Sequence, residues 1–217
     1  MNLVKEELIS RFGAENVQEV FFTGNTNNDP KLEGIERYPF ILVDIQMRSK
    51  VKVLMTNGLS EYKMPVLDKF IGREHNELYF CLPSYWDIED QNDEGMNWVF
   101  KVLYKLQKHL LEKNTWFGIG HTIPFSNPLG PISERMSQSY FFMNEPWFLE
   151  KELTTVELTD KNVNFLSVIP IFEDEFDYKI GKGTYKFQKK LGGQNVTELL
   201  DDFRRSALKT KWRFFGK

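Results

Sequence analysis

Asn97-Trp98-Val99-Phe100-Lys101-Val102-Leu103-Tyr104-Lys105-Leu106-Gln107-Lys108-His109-Leu110-Leu111-Glu112 is the stretch on which the fold turns. Trp98, Val99, Val102, Leu103, Leu106, Leu110 and Leu111 recur at helical spacing, which predicts the principal helix of the chain. Lys101, Lys105 and Lys108 fall on its polar side, as expected of a solvated face.

Upstream, Leu3 to Phe12 carries apolar residues at helical spacing and ends at Gly13, so a short amphipathic helix is expected there. Val17–Phe22 reads as a strand, and Thr23–Arg37, with Asn27-Asn28-Asp29-Pro30, as a long mobile loop. Phe40–Ile45 and Val51–Thr56 form a predicted hairpin around Arg48-Ser49-Lys50. Asn57-Gly58-Leu59-Ser60 supplies reversal chemistry. Glu77–Leu82 is a further strand, with Pro83 as its stop.

Downstream, Asn114–Asn127 combines Trp116, Phe117 and Phe125 with Gly118 and Gly120 and with His121, one of three histidines. It reads as a tightly shaped connection. Ser139–Met143, Thr155–Thr159 and Val163–Ile169 read as strands, the last closed by Pro170. Helices are expected from Phe172 and over Thr184–Leu191, the latter stopped by Gly192-Gly193. Strands, one long helix, then more strands and helices, without strict alternation, argue for an α+β fold. No linker divides the chain, so residues 1–217 are expected to form one domain, with the N-terminal helix (2–12) and the tail (about 206–217) peripheral.

The 217 residues suit that size, and 41% hydrophobic with 27% charged residues is ordinary for a globular protein. A net charge of −3 gives no electrostatic reason to expect nucleic acid or an anionic membrane. The tail carries Arg204, Arg205, Lys209, Lys211 and Arg213, and reads as a solvated or partly disordered terminus rather than a nucleic-acid arm. The start lacks the order of a signal peptide, and no run of about 18 apolar residues occurs, so a cytoplasmic protein is expected. Cys81, the single cysteine, sits in an apolar run and reads as a buried thiol.

Searches for chemistry end without a motif. Gly58-Leu59-Ser60-Glu61-Tyr62 begins like a nucleophile elbow but has Tyr62 where the last glycine belongs. Gly181-Lys182-Gly183-Thr184 has the wrong spacing for a phosphate loop and reads as a helix break. His75, His109 and His121 are far apart, and Asp87–Glu94 misses the register of a calcium loop, so no metal and no cofactor are expected. That acidic loop reads as solvated, its charge favouring the helix that follows. Glu173, Asp174, Glu175 and Asp177 fit first-turn capping. His121 reads as satisfied by a backbone carbonyl rather than as a catalytic base.

Taken in order, several landmarks resemble the Suppressor of fused domain family. Thr56–Tyr62 is similar to its Gly-Leu-Ser turn, and Glu77-Leu78-Tyr79-Phe80 to its Glu-Leu-x-Phe strand. Trp98–Leu111 resembles the helix that follows, and Gly120-His121 with Asn127-Pro128-Leu129 its Gly-x-His…Pro-Leu connection. Val163–Leu166, Glu173–Glu175, Gly181–Gly183 and Asp201–Arg205 resemble its later elements. The resemblance covers about Phe40 to Arg205 and implies a mixed, largely antiparallel sheet packed against helices, without catalysis. It implies a protein partner: animal members bind an extended peptide of a transcription factor by strand addition. They carry an acidic residue just before the histidine, where this chain has Gly120. Single-domain bacterial relatives suggest an immunity protein that binds a toxin. Gly120, His121, Asn127, Asp87, Glu89 and Asp90 are the candidate partner-binding residues. The alternatives are an acid/base enzyme pairing His121 with Glu173 or Asp174, and a self-associating scaffold.

Overall fold

A computed structural model of the chain describes residues 3–209. In order these form α1 (Leu3–Phe12), β1 (Val17–Phe21), β2 (Pro39–Gln46), β3 (Lys50–Thr56), β4 (His75–Pro83), α2 (Glu94–Lys113), β5 (Thr122–Pro124), β6 (Tyr140–Asn144), β7 (Val156–Glu157), β8 (Asn162–Ile171), α3 (Glu173–Lys182) and α4 (Thr184–Gly192). The eight strands make one sheet in the order β1-β2-β3-β4-β8-β6-β5, with β7 added to the start of β8. Among the described strands only β4 and β8 pair in parallel. The sheet is mixed and largely antiparallel, as expected.

Strand alternation sends Phe40, Leu42, Leu54, Leu78, Phe80, Phe141 and Val168 to one face, where Trp98, Val99, Val102, Leu103, Leu106 and Leu110 of α2 cover them. Burying side chains of this size contributes about 1.5–3 kcal/mol each, so α2 is the main source of stability on that face. Asp93 caps α2 by accepting from the Gly95 N–H at 2.8 Å, and Asn114 ends it in the left-handed conformation. The other face buries Ile41, Val43, Val53 and Phe165 under α1 and Leu149. Farther along it, Phe142 and Ile169 lie under Phe187 and Leu191 of α4.

Four expectations need correction. Pro170 does not close its strand but lies inside β8, opposite Phe141 of β6. Pairing of β8 with β4 ends at Ser167, so the side of Pro170 that lacks an N–H faces no ladder. Thr23–Arg37 is not a bare loop: it contains single 3₁₀ turns at Pro30–Leu32 and Ile35–Arg37, pinned by buried Leu32 and Ile35. The strand expected at Thr155–Thr159 shrinks to Val156–Glu157. The tail is not wholly solvated between Asp202 and Lys209: Arg204 is nearly buried and Ser206 and Ala207 are buried, while Phe203, Arg205 and Lys209 are exposed. Lys211 and Arg213 lie outside the described residues.

Candidate protein-binding site

Three buried glutamates account for most of the sequence landmarks. Glu77 sits in β4 with its carboxylate fully buried. It accepts from Gly58 N (3.1 Å), Ser60 N (3.0 Å) and the Thr56 hydroxyl, so it ties the Gly-Leu-Ser turn to the strand. Burial pushes its pKa up, against the pull of those donors. Glu175 accepts two guanidinium N–H groups of Arg204, at 2.7 and 2.8 Å, and the N–H groups of Phe172 (2.9 Å) and Ala207 (2.7 Å). Arg204 also donates to Pro170 O at 2.7 Å. Glu198 gathers the N–H groups of Trp147, Phe148 and Leu149, each at 2.9 Å. These pairs hold distant segments together. Glu198 escaped the sequence reading, because a lone glutamate in a polar loop carries no signal of burial.

The connection that resembles the family's histidine element is shaped by its glycines. Gly120 has φ +89° and is the third residue of a turn closed by His121 N–H donating to Gly118 O at 3.0 Å. Gly120 N–H donates to Met143 O and Met143 N–H to His121 O, both at 2.8 Å. Two residues therefore oppose one, a β-bulge that opens with a glycine at positive φ and leads into β5. A Cβ on Gly120 would lie 2.7 Å from Thr184 Oγ1 at a positive φ, so this backbone disfavours any side chain there. At Gly118 the Trp116 ring folds over the backbone, leaving no room for a side chain.

His121 packs on Trp116, with ring centres 4.4 Å apart, and Trp116 packs on Phe70 at 5.2 Å. The exposed Leu67 and Ile71 flank Phe70. Desolvation and the nearby Lys179 ammonium lower the His121 pKa, opposed by a hydrogen bond to the Trp116 backbone. Neither Glu173 nor Asp174 hydrogen-bonds to it among the described residues, and Asp174 instead accepts from Ser206 at 2.7 Å. The partner that an acid/base pair needs is thus missing from His121. Asn127 is exposed and precedes a cis peptide to Pro128.

The bulge delivers β5 to one edge of the sheet, beyond which no described strand lies. Phe125 N–H donates to Ser139 O at 2.9 Å and His121 O accepts from Met143, so odd-numbered residues face β6. The Thr122 N–H, its carbonyl and the Pro124 carbonyl therefore point outward. The acidic loop is elsewhere, at the opposite end of α2. Asp87, Glu89 and Asp90 are exposed, while Trp86 and Ile88 anchor the loop in the core. Asp87 accepts from the N–H groups of Glu89 and Asp90, at 2.9 and 3.1 Å, and Gln91 donates to Phe21 O at the end of β1. The structure thus does not join the six candidate residues into one surface. No group of three His, Cys, Asp or Glu side chains suited to a metal occurs among the described residues. No described helix is long and apolar enough to cross a membrane.

Comparison with known proteins matches the Suppressor of fused protein (SUFU) family over residues 36–205. No curated protein sequence matches. Among solved structures, a SUFU homolog from Neisseria gonorrhoeae FA 1090 superposes with a TM-score of 0.62 at 15% identity, over 97% of this chain and 98% of that one. A structure of the Sufu–Fu complex gives 0.62 at 14% identity, over 94% and 91%. Drosophila Suppressor of Fused gives 0.62 at 13% identity over 94% of this chain, which spans 50% of that protein. At these identities the superpositions speak for the fold, and the family match spans well over half of the sequence. The chain belongs to the Suppressor of fused family.

Proposed function

We propose that the chain is a non-catalytic protein-binding module that takes an extended segment of a partner along β5. The observation that carries this reading is the outward-facing Thr122–Pro124 edge, set beside an aromatic row of His121, Trp116 and Phe70. Such an edge offers one donor and two acceptors to an added strand, and aromatic side chains beside it are the usual anchors of binding energy. The family relative seen in the Sufu–Fu complex supports a protein as the ligand class. The partner is a bacterial toxin, and the chain acts in the cytoplasm as its immunity protein, the role that the resemblance to single-domain bacterial relatives implies.

Thr122→Pro tests the edge. Proline removes the outward N–H while leaving the bonds from Ile123 and Phe125 to β6 untouched. The wild-type chain captures a defined partner from its source cell and the variant does not. Production of that partner in a host arrests growth, and the wild-type chain relieves the arrest while Thr122→Pro fails to. Equal capture by both forms rejects the edge, and a harmless partner rejects the toxin.

A further inference from the structure

We infer that the trough between α2 and β5 selects an acidic strand, one with Asp or Glu at alternate positions; this rests on the reading of β5 as the binding edge. Ile123 and Phe125 lie on the α2 side of the sheet, and with Val102, Leu106 and Phe141 they floor a cavity of about 510 Å³. A strand laid on the outer edge of β5 sends every second side chain to that same side. The walls those side chains meet are cationic: Lys31, Lys105, Lys108 and Lys113 line the cavity against Glu112. Lys105 is engaged by Asp29 at 2.7 Å and Lys108 loosely by Glu112 at 3.9 Å, while Lys31 and Lys113 make no ion pair among the described residues. Four ammonium groups thus face two carboxylates over an apolar floor, and the surplus is positive in a protein whose net charge is −3.

A second cavity of about 240 Å³ continues the trough, sharing Val102, Lys105 and Phe125; Glu94 and Glu134 line it opposite Lys101 and Lys105, so the positive surplus, and with it the place for the strand's acidic residues, lies over the first cavity. Asn97 and Trp98 line it, and each has a buried polar atom without a partner, the Asn97 Oδ1 and the Trp98 indole N–H. From Lys113 to Asn97 the helix rises about 24 Å at ~1.5 Å per residue, the length of roughly seven extended residues. A heptapeptide is therefore the fitting probe.

A displayed library of random heptapeptides is selected on the full chain. Synthetic versions of the enriched sequences are then measured by fluorescence anisotropy at low and high salt. Enriched peptides are expected to carry Asp or Glu two residues apart and to lose affinity as salt rises. The Lys108→Glu/Lys113→Glu double variant weakens them roughly tenfold, as expected for reversing two partly exposed charges. Glu112→Lys tightens them about threefold, which an unfolded variant cannot do. Thr122→Pro abolishes binding. Enriched peptides that are neutral or basic, yet sensitive to Thr122→Pro, overturn the acidic selection and leave the edge reading standing. Acidic peptides indifferent to Thr122→Pro, no enrichment at all, or dimerisation of the chain through the trough each overturn the proposal.

Discussion

Replacing Arg204 with methionine removes the cation that, among the described residues, pairs with a carboxylate that solvent does not reach. Glu175 is fully buried and the Arg204 side chain is 9% exposed. The substitution deletes two guanidinium bonds to Glu175 and one to Pro170 O, and leaves Glu175 the N–H groups of Phe172 and Ala207. Removing one partner of a buried ion pair costs about 3–5 kcal/mol, and the two remaining donors favour the lower end, about 3 kcal/mol. For a chain of this size each kcal/mol shifts Tm by about 2–4 °C, so a fall of about 6–12 °C is expected by calorimetry. Methionine keeps an apolar stem against Phe172, over which the Arg204 guanidinium sits at 4.8 Å, so lost packing contributes little. In Glu175→Gln/Arg204→Met the stranded charge is gone, and most of the stability returns, with a coupling of at least about 1.5 kcal/mol. A loss below about 1 kcal/mol in the single variant, or additive losses in the double, refutes the view that this landmark pair is a clasp for the C-terminal segment.

Gly120→Ala places a Cβ at positive φ and against Thr184, and should lower Tm by several degrees, at about 1–2 kcal/mol for the backbone alone. Adding Thr184→Ala relieves the contact and not the φ, so it recovers part of the loss; full recovery contradicts the strained backbone. Glu77 has a folded-state pKa raised by burial, so its contribution is fully present below the unfolded value and is lost as pH rises through the folded one. The Tm difference, wild type minus Glu77→Gln, should therefore increase as pH falls from 8 towards 5, and a flat difference shows that Glu77 is already ionised in the folded chain across that range, so that burial does not raise its pKa. Glu198→Ala strands three backbone N–H groups at Trp147–Leu149 and should speed amide exchange there, while α2 keeps its protection.

Periodicity was enough to read α1, α2, the β2–β3 hairpin and the β4 and β8 strands from sequence, because each has an apolar face that recurs over several residues. β5 was not legible. It is three residues long, includes a proline, and exists because the Gly120 bulge delivers the chain to β6. Pro170 misled for a local reason: a proline ends a strand only where its missing N–H would have met a neighbour, and β4 stops short of it. At the candidate site, sequence marked Gly120 and His121 by composition and family resemblance. It could not show that Gly120 is demanded by the backbone, that Trp116 covers His121, or that Asp87–Asp90 lies at the far end of α2. The buried glutamates were equally hidden, since all the partners named above except Phe172 are 17–51 residues away in the chain. The acidic run at Glu173–Glu175 was read as capping, which is true of the Glu175 bond to Phe172 N–H and incomplete without Arg204.

Backbone amide exchange at single-residue resolution, with and without the captured partner, tests the binding edge most directly. Ile123 and Phe125 are bonded to β6 in the free chain and should change little, whereas the Thr122 amide faces outward and should gain at least tenfold protection on binding. Protection confined to Asp87–Glu94 or to β1, with the Thr122 amide exchanging as fast as before, contradicts the account.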